Sequence, residues 1–511
     1  MSRLILMCLF GAVYCGQEDM NMVPGRSTIV HLFEWKWNDI AEECERFLGP
    51  KGFGGVQVSP ASENLILHLE DGSRPWYERY QPMSYKIETR SGNEEQFLNM
   101  TRRCNAVGVR IYVDVVLNHM TGGGKENIGT AGSKADIEKE DYYGVPYSSK
   151  HFHSSCSIND WNNVEEVRNC QLEGLRDLNQ TEEYVQNKIV DYLNHLVLLG
   201  AAGFRVDAAK HMWPADLKKI YDRVNNLNTD FGFEENLRPY IVQEVNYNGN
   251  EPIKHSDYTW LGDVTEFRVG TELRGCFTGQ NPLKYLVSWG ESWNLSPSDK
   301  VLVFIDNHDT QRYNQVLTYK DSTPYKAAIA FMMAHTYGSP RIMSSYFFDN
   351  DKQGPPADNE NIISPTINKD NTCGNGWVCE HRWRQIYQMV AFRNVAGNTK
   401  VQNWWDNGNK QVAFSRGNKA FIVFNVEGKE LNEKLQTGLP KGDYCDVISG
   451  KKQGKSCTGT KISVDNDGKA DIHLNEDTTH LAIHIGPEVR KGTSSIFIGF
   501  RHLLVFLPSL M

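Results

Sequence analysis

The chain has 511 residues, 40% of them hydrophobic and 11% aromatic, which is enough for one large catalytic domain and a smaller one. Its formal net charge is −9 and it carries no basic cluster. That balance argues against nucleic acid or an anionic membrane surface as partner.

Residues 1–16 read as a secretory signal, with Arg3 as the charged start, Leu4 to Val13 as the apolar core and Tyr14-Cys15-Gly16 as the cleavage region. The mature chain is therefore expected to begin near Gln17, in the extracellular space. Two of the 11 cysteines, Cys8 and Cys15, leave with the signal. An odd number remains, so oxidation leaves one thiol unpaired. Cys373/Cys379 and Cys445/Cys457 are spaced for local loops, and no Cys-x-x-Cys or His spacing supports zinc.

Strand-like runs then recur with helical stretches between them. They are Thr28-Ile-Val-His-Leu-Phe-Glu-Trp, Gly55-Val-Gln-Val-Ser, Arg110-Ile-Tyr-Val-Asp-Val-Val-Leu-Asn-His and Gly203-Phe-Arg-Val-Asp, followed by Tyr240-Ile-Val-Gln-Glu, Val264-Thr-Glu-Phe, Val301-Leu-Val-Phe-Ile-Asp-Asn-His-Asp and Arg341-Ile-Met-Ser-Ser. Most are continuous rather than alternating, as strands buried on both faces are. With amphipathic stretches such as 183–199 between them, they predict an α/β fold, a (β/α)₈ TIM barrel over 17–117 and 179–400. More than 80 residues separate the third and fourth runs, and the polar, Gly- and Asn-rich stretch 118–178 reads as an inserted subdomain over the barrel mouth. From 401 to 490 the texture changes to short alternating strands with turn signals, the mark of an antiparallel β-sandwich domain. The apolar tail, 491–511, is too short and interrupted to span a bilayer. Gly492-Thr-Ser-Ser within it resembles a lipid-anchor signal that lacks its polar spacer, and a disordered tail is the expectation.

Three of the runs end in acids: Asp207, Glu244 and Asp309. A buried carboxylate is costly unless something uses it. Three at the C-terminal ends of parallel strands are what glycoside chemistry on a β/α barrel needs.

Four motifs occur in order: Asp114-Val-Val-Leu-Asn-His, Gly203-Phe-Arg-Val-Asp-Ala-Ala-Lys-His, Gln243-Glu-Val and Phe304-Ile-Asp-Asn-His-Asp. On these the chain resembles the animal-type, chloride-dependent α-amylases of the α-amylase glycoside hydrolase family, from about Ser27 to His484. The resemblance implies a secreted, monomeric, endo-acting enzyme that cleaves internal α-1,4 bonds of starch, glycogen and malto-oligosaccharides with retention. It makes Asp207 the nucleophile, Glu244 the general acid/base and Asp309 the transition-state stabiliser. Arg205, two residues before Asp207 and so on the same strand face, is expected to favour its ionised form. The alternatives are an exo-acting α-glucosidase on the same fold and a non-catalytic barrel that binds carbohydrate or a partner.

The resemblance further implies sugar contacts at Trp76, Tyr77, Tyr80, Gln81, His119, Lys210 and His308. One structural Ca²⁺ would be held by the side chains of Asn118 and Asp177 and the main-chain oxygens of Arg168 and His211, clipping the insertion to the barrel. One activating Cl⁻ would sit on Arg205, Asn307 and Arg341; the plain alternative for Arg341 is a local acid partner. Tyr77 stands where the family commonly has a second Trp, and Glu88 where many relatives have a cysteine whose partner is also missing. Four disulfides are therefore implied, Cys44–Cys104, Cys156–Cys170, Cys373–Cys379 and Cys445–Cys457, with Cys276 free. The glycine-rich loop that vertebrate members carry after Arg312 is absent, and Asn246-Tyr247 replaces the usual Ile-Asp after the acid.

Overall fold

The computed structural model describes residues 17–123, 127–454 and 456–486. The expected signal (1–16) and the apolar tail (491–511) lie outside the described residues.

Eight parallel strands close into a barrel: β1 (Ile29–Leu32), β2 (Gly55–Val58), β3 (Arg110–Val116), β4 (Gly203–Asp207), β5 (Tyr240–Gln243), β6 (Asp263–Glu266), β7 (Val301–Val303) and β8 (Ser339–Ser344). Every residue in them except Ser339 is buried, which is why the runs read as continuous. The helices around the barrel include α1 (Trp37–Glu43), α2 (Glu94–Ala106), α3 (Val164–Asn169, in the connection after β3), α4 (Glu183–Leu198), α5 (Pro214–Tyr221), α6 (Arg268–Phe277), α7 (Ser322–Ala334) and α8 (Arg384–Ala396). The amphipathic stretch read at 183–199 is α4, which buries Val185, Ile189, Leu193 and Leu196 against the core.

Strand register decides which side chains meet. Asp114 of β3 lies opposite Arg205 of β4, and Val116 opposite Asp207. One run departs from its expected course: β7 stops at Val303 and the chain leaves the sheet before Asp309. The Asn307 side chain accepts from the amides of Asp309 (3.1 Å) and Thr310 (2.6 Å), and this turn outcompetes the strand ladder. Asp309 is thus delivered by a turn above the barrel, not by a strand end.

The C-terminal sheet consists of β9 (Val401–Asp406), β10 (Gln411–Arg416), β11 (Ala420–Asn425) and the late strand β16 (His480–His484). Over it lie β12 (Leu431–Gln436) paired with β15 (Lys469–Leu474), and β13 (Gly442–Cys445) paired with β14 (Lys461–Val464). Ala413, Phe421, Val423 and Ile483 meet Leu435, Ile462 and Ile472 in the sandwich core. Phe414, Ile422 and Phe424 point the other way, into the barrel's own core. Strands β10 and β11 are therefore buried on both faces, and only outer strands such as β15 show the expected alternation. The four implied disulfides all form, and Cys276 is free and buried.

A buried charge network ties α1 to the segment after β8. Glu43 accepts from Arg382 Nε (2.7 Å) and Nη2 (2.8 Å) and bonds His381 Nε2 (2.9 Å), while His381 Nδ1 bonds Ser344 Oγ (2.8 Å). Burial alone would raise the Glu43 carboxyl, but these partners outweigh it and hold it at about 2, below its ordinary 4.5. A depressed carboxyl stabilises the fold above its unfolded value, and that contribution is lost as pH falls from about 4.5 towards 2. Glu43→Gln is expected to cost about 3 kcal/mol at neutral pH and to flatten the acid limb of stability over that window. Urea melts across pH test this; coincident curves for variant and wild type would refute it.

Candidate active site

Arg205 organises the mouth of the barrel. It points inward from β4 and is only 2% exposed. Its Nη1 donates to Asp114 Oδ1 (2.7 Å) and to Asp207 Oδ1 (2.6 Å), and its Nη2 pairs with Glu244 Oε1 at 2.5 Å. Asp207 is the last residue of β4, and Glu244 directly follows β5. Ala208 then takes a left-handed conformation (φ 48°), a strained one for a non-glycine residue, and its amide donates to Glu244 Oε2 at 2.8 Å. Tyr80 closes the group by donating its hydroxyl to Asp114 Oδ2 at 2.9 Å.

Burial pushes the Asp207 carboxyl well above its usual range; Arg205 opposes that shift, and the charges of Glu244 and Asp114 add to it. Asp309 is pushed up to about 6, by burial first and then by the charge of Glu244, against Arg205 and Arg312. Three carboxyls crowd one guanidinium, and burial, then the neighbouring acids' charges, disfavour ionisation of Asp207 and of Asp114. The expected contact of Arg205 with Asp207 is one of three, because Arg205 also meets Asp114 and Glu244.

Above this group lies a cleft of about 410 Å³ lined by Trp161, Leu172, Lys210, His211, Glu244 and Asp309 among others. Lys210 Nζ donates to the Asn246 carbonyl at 2.7 Å and pairs with Glu251. Trp76, Tyr80 and His308 form one aromatic group: the rings of Tyr80 and His308 are parallel at 5.0 Å, and Trp76 stands edge-on to His308 at 5.6 Å. Trp76 and Tyr77 are partly exposed, whereas Tyr80, His119 and His308 are buried. His119 has both ring nitrogens engaged, Nε2 with the Tyr80 carbonyl (3.0 Å) and Nδ1 with Asn118 Nδ2 (3.3 Å). Gln81 accepts from the Gly122 amide at 3.0 Å, joining the aromatic loop to the insertion.

The expected cation ligands fall in two pairs, Asn118 beside Asp177 and Arg168 beside His211, each at a junction of barrel and insertion. Asp177 forms a backbone bridge with His119, beside Asn118, and bonds His153 Nδ1 through Oδ2 at 2.7 Å. His211 bonds the Val167 carbonyl at 2.8 Å, next to Arg168, so barrel and insertion meet here. Asn118 Oδ1 is buried with no donor in reach. Among the described residues no group of three or more His, Cys, Asp or Glu converges. One carboxylate, one orphaned amide oxygen and main-chain oxygens fit a hard cation such as Ca²⁺.

Arg205 and Arg341 are both buried in the barrel interior, near enough for the charge of one to act on the other. Arg205 Nε is buried without an acceptor. Arg341 lies over the Phe304 ring (4.5 Å) and donates to Gln57 Oε1 at 2.6 Å, so its side-chain partner is an amide and not the local acid of the plain alternative. Burial and the charge of Arg205 lower Arg341 to about 10. Two close arginines with an unused donor fit a small anion.

Two family models match the chain, Alpha amylase, catalytic domain over residues 76–261 and Alpha amylase, C-terminal all-beta domain over 402–485. The alpha-amylase of Tribolium castaneum is 55% identical over 491 residues, covering 95% of this chain and 99% of that protein. That of Tenebrio molitor is 56% identical over 478 residues, covering 93% and 100%. This chain belongs to the α-amylase family. Among solved structures, wild-type alpha-amylase I from Eisenia fetida superposes with a TM-score of 0.86 at 44% identity, covering 93% of this chain and 100% of that one.

As a family member the chain is a hydrolase acting on carbohydrate. Among the described residues no helix is long and apolar enough to cross a membrane. Several residues of the site were not singled out from the sequence. Asp114 carried a legible signal, a carboxylate inside the apolar run 110–116. Trp161, Glu251 and Gln57 carried none, because only the folded insertion and the barrel interior bring them to the site.

Proposed function

We propose that the protein is a secreted, endo-acting α-amylase that hydrolyses internal α-1,4 bonds of starch, glycogen and malto-oligosaccharides with retention. The observation that carries this is the attachment of Asp207 and Glu244 to the two Nη atoms of Arg205. A retaining pair must sit about 5–5.5 Å apart, and a shared guanidinium gathers both acids at one glycosidic bond. Asp207 attacks the anomeric carbon while Glu244 gives its proton to the departing glycosidic oxygen, leaving a glycosyl ester on Asp207. Glu244 then takes a proton from water, which attacks the anomeric carbon from the face the leaving group left, opposite the ester, and so frees Asp207 with the original configuration restored. Asp309, on its turn beside the cleft, holds hydroxyls of the distorted ring.

Trp76 and Tyr77 offer partly exposed aromatic rings to sugar. Lys210, His308 and Gln81 supply polar contacts, and His119, with its nitrogens occupied, supports the site through Tyr80. A related structure, a Glu-to-Gln variant of the Eisenia fetida enzyme, is a maltohexaose complex, which supports a linear glucan as ligand. Asn118, Asp177, Arg168 and His211 would hold one Ca²⁺, whose charge pins the insertion over the barrel. Arg205, Asn307 and Arg341 would hold one Cl⁻, whose charge offsets the two guanidiniums beside the acid that must carry a proton.

Digestion of amylose tests the reading. Iodine colour is expected to fall before much reducing sugar appears, and chloride is expected to raise activity and extend its alkaline limb. Slow release of glucose alone would favour an exo-acting α-glucosidase, and equal activity without chloride would remove the anion assignment.

A further inference from the structure

We infer that Gln57 sets the affinity of the anion site by fixing Arg341, and that Gln57 and His31 complete its ring of donors; this rests on the chloride reading above. Strand β1 lies between β2 and β8, with Ile29 in register with both Gly55 and Arg341, and His31 with Gln57. The bond from Arg341 Nη1 to Gln57 Oε1 at 2.6 Å therefore joins two unpaired strands through the barrel interior. Both side chains are 2% exposed and His31 is fully buried. Among the described residues Gln57 is the one side-chain acceptor on Arg341, whose other support is the Phe304 ring. Without Gln57, only that ring would orient the guanidinium.

The polar atoms left over around this bond are mostly donors. Gln57 Nε2, Arg205 Nε and both ring nitrogens of His31 are buried with no partner. Asn307 Oδ1 is taken by the amides of Asp309 and Thr310 and by the Thr310 hydroxyl, which leaves its Nδ2 as a donor. Burial, then the charges of Arg341 and Arg205, hold His31 neutral, so it offers one N–H. An unpaired buried donor is costly, and a small anion between the two arginines relieves several at once.

Two substitutions test this. Gln57→Glu is isosteric and sets a tethered carboxylate against Arg341, which competes with a free anion. Gln57→Met removes the acceptor and adds no charge. Chloride binding is read by ³⁵Cl NMR line broadening and by the chloride-dependent rise in melting temperature at fixed ionic strength, with acetate as the control salt. Melting in chloride-free buffer checks that each variant folds. Both variants are expected to bind chloride at least about tenfold more weakly, the usual size of effect when a residue that orients a ligand is lost. Only Gln57→Glu is expected to gain activity in chloride-free buffer. Wild-type binding with unchanged affinity in folded variants would overturn the inference and leave the chloride reading standing. A wild-type protein that shows no chloride signal would overturn both.

Discussion

Asp207→Asn is expected to lower kcat on starch by about 10⁴-fold or more, and Glu244→Gln by about 10²–10⁴-fold, with melting temperatures close to that of the wild type. Both changes keep side-chain volume and an oxygen for Arg205, whose contacts with the two acids are 2.6 and 2.5 Å. What they remove differs. The amide at 207 cannot form the glycosyl ester, so every substrate suffers alike. The amide at 244 cannot protonate a leaving oxygen, so an aryl maltoside with an acidic phenol should lose far less activity than starch. Equal losses on both substrates would mean that Glu244 is not the acid. Full activity in either variant would remove the pair from the chemistry.

Chelation is expected to have the second large effect. The insertion meets the barrel at Asn118, Asp177, Arg168 and His211, where Asn118 Oδ1 has no donor and burial pushes the Asp177 carboxyl up to about 6, against the pull of His153. A cation there stabilises the native state alone. At 100 to 1,000 times its Kd, such an ion contributes about 3–4 kcal/mol, which a chelator takes away. Melting temperature should fall, calcium should restore it, and Asp177→Asn should melt like the chelated wild type with no further response to chelator. A wild type that melts identically with and without chelator would contradict the assignment.

The barrel was legible because a strand buried on both faces must be apolar throughout, and because a charge such as Asp207 or Glu244 at the end of such a run has no structural excuse. Spacing alone offered Cys373–Cys379 and Cys445–Cys457, and the resemblance to the family implied the other two disulfides. The course of the chain around Asp309 was not, because the Asn307 side chain, not hydrophobic pattern, ends β7. Nor was the double burial of β10 and β11: Phe414 and Phe421 look alike in sequence, yet one faces the barrel and the other the sandwich. The sharing of Arg205 among Asp114, Asp207 and Glu244 depends on register between β3, β4 and β5, which local pattern does not encode. Gln57 lay beyond reach for the same reason, since its partner is 284 residues away along the chain.

The central claim is that one glucosyl unit is passed to Asp207 while Glu244 manages the proton. Mass spectrometry of the Glu244→Gln variant after reaction with a fluorinated glycosyl donor, whose fluoride leaves without a proton, tests it most directly. The expected result is one added glycosyl unit on the peptide containing Asp207. No adduct, together with an inverted anomeric configuration in the first product seen by proton NMR, would contradict it.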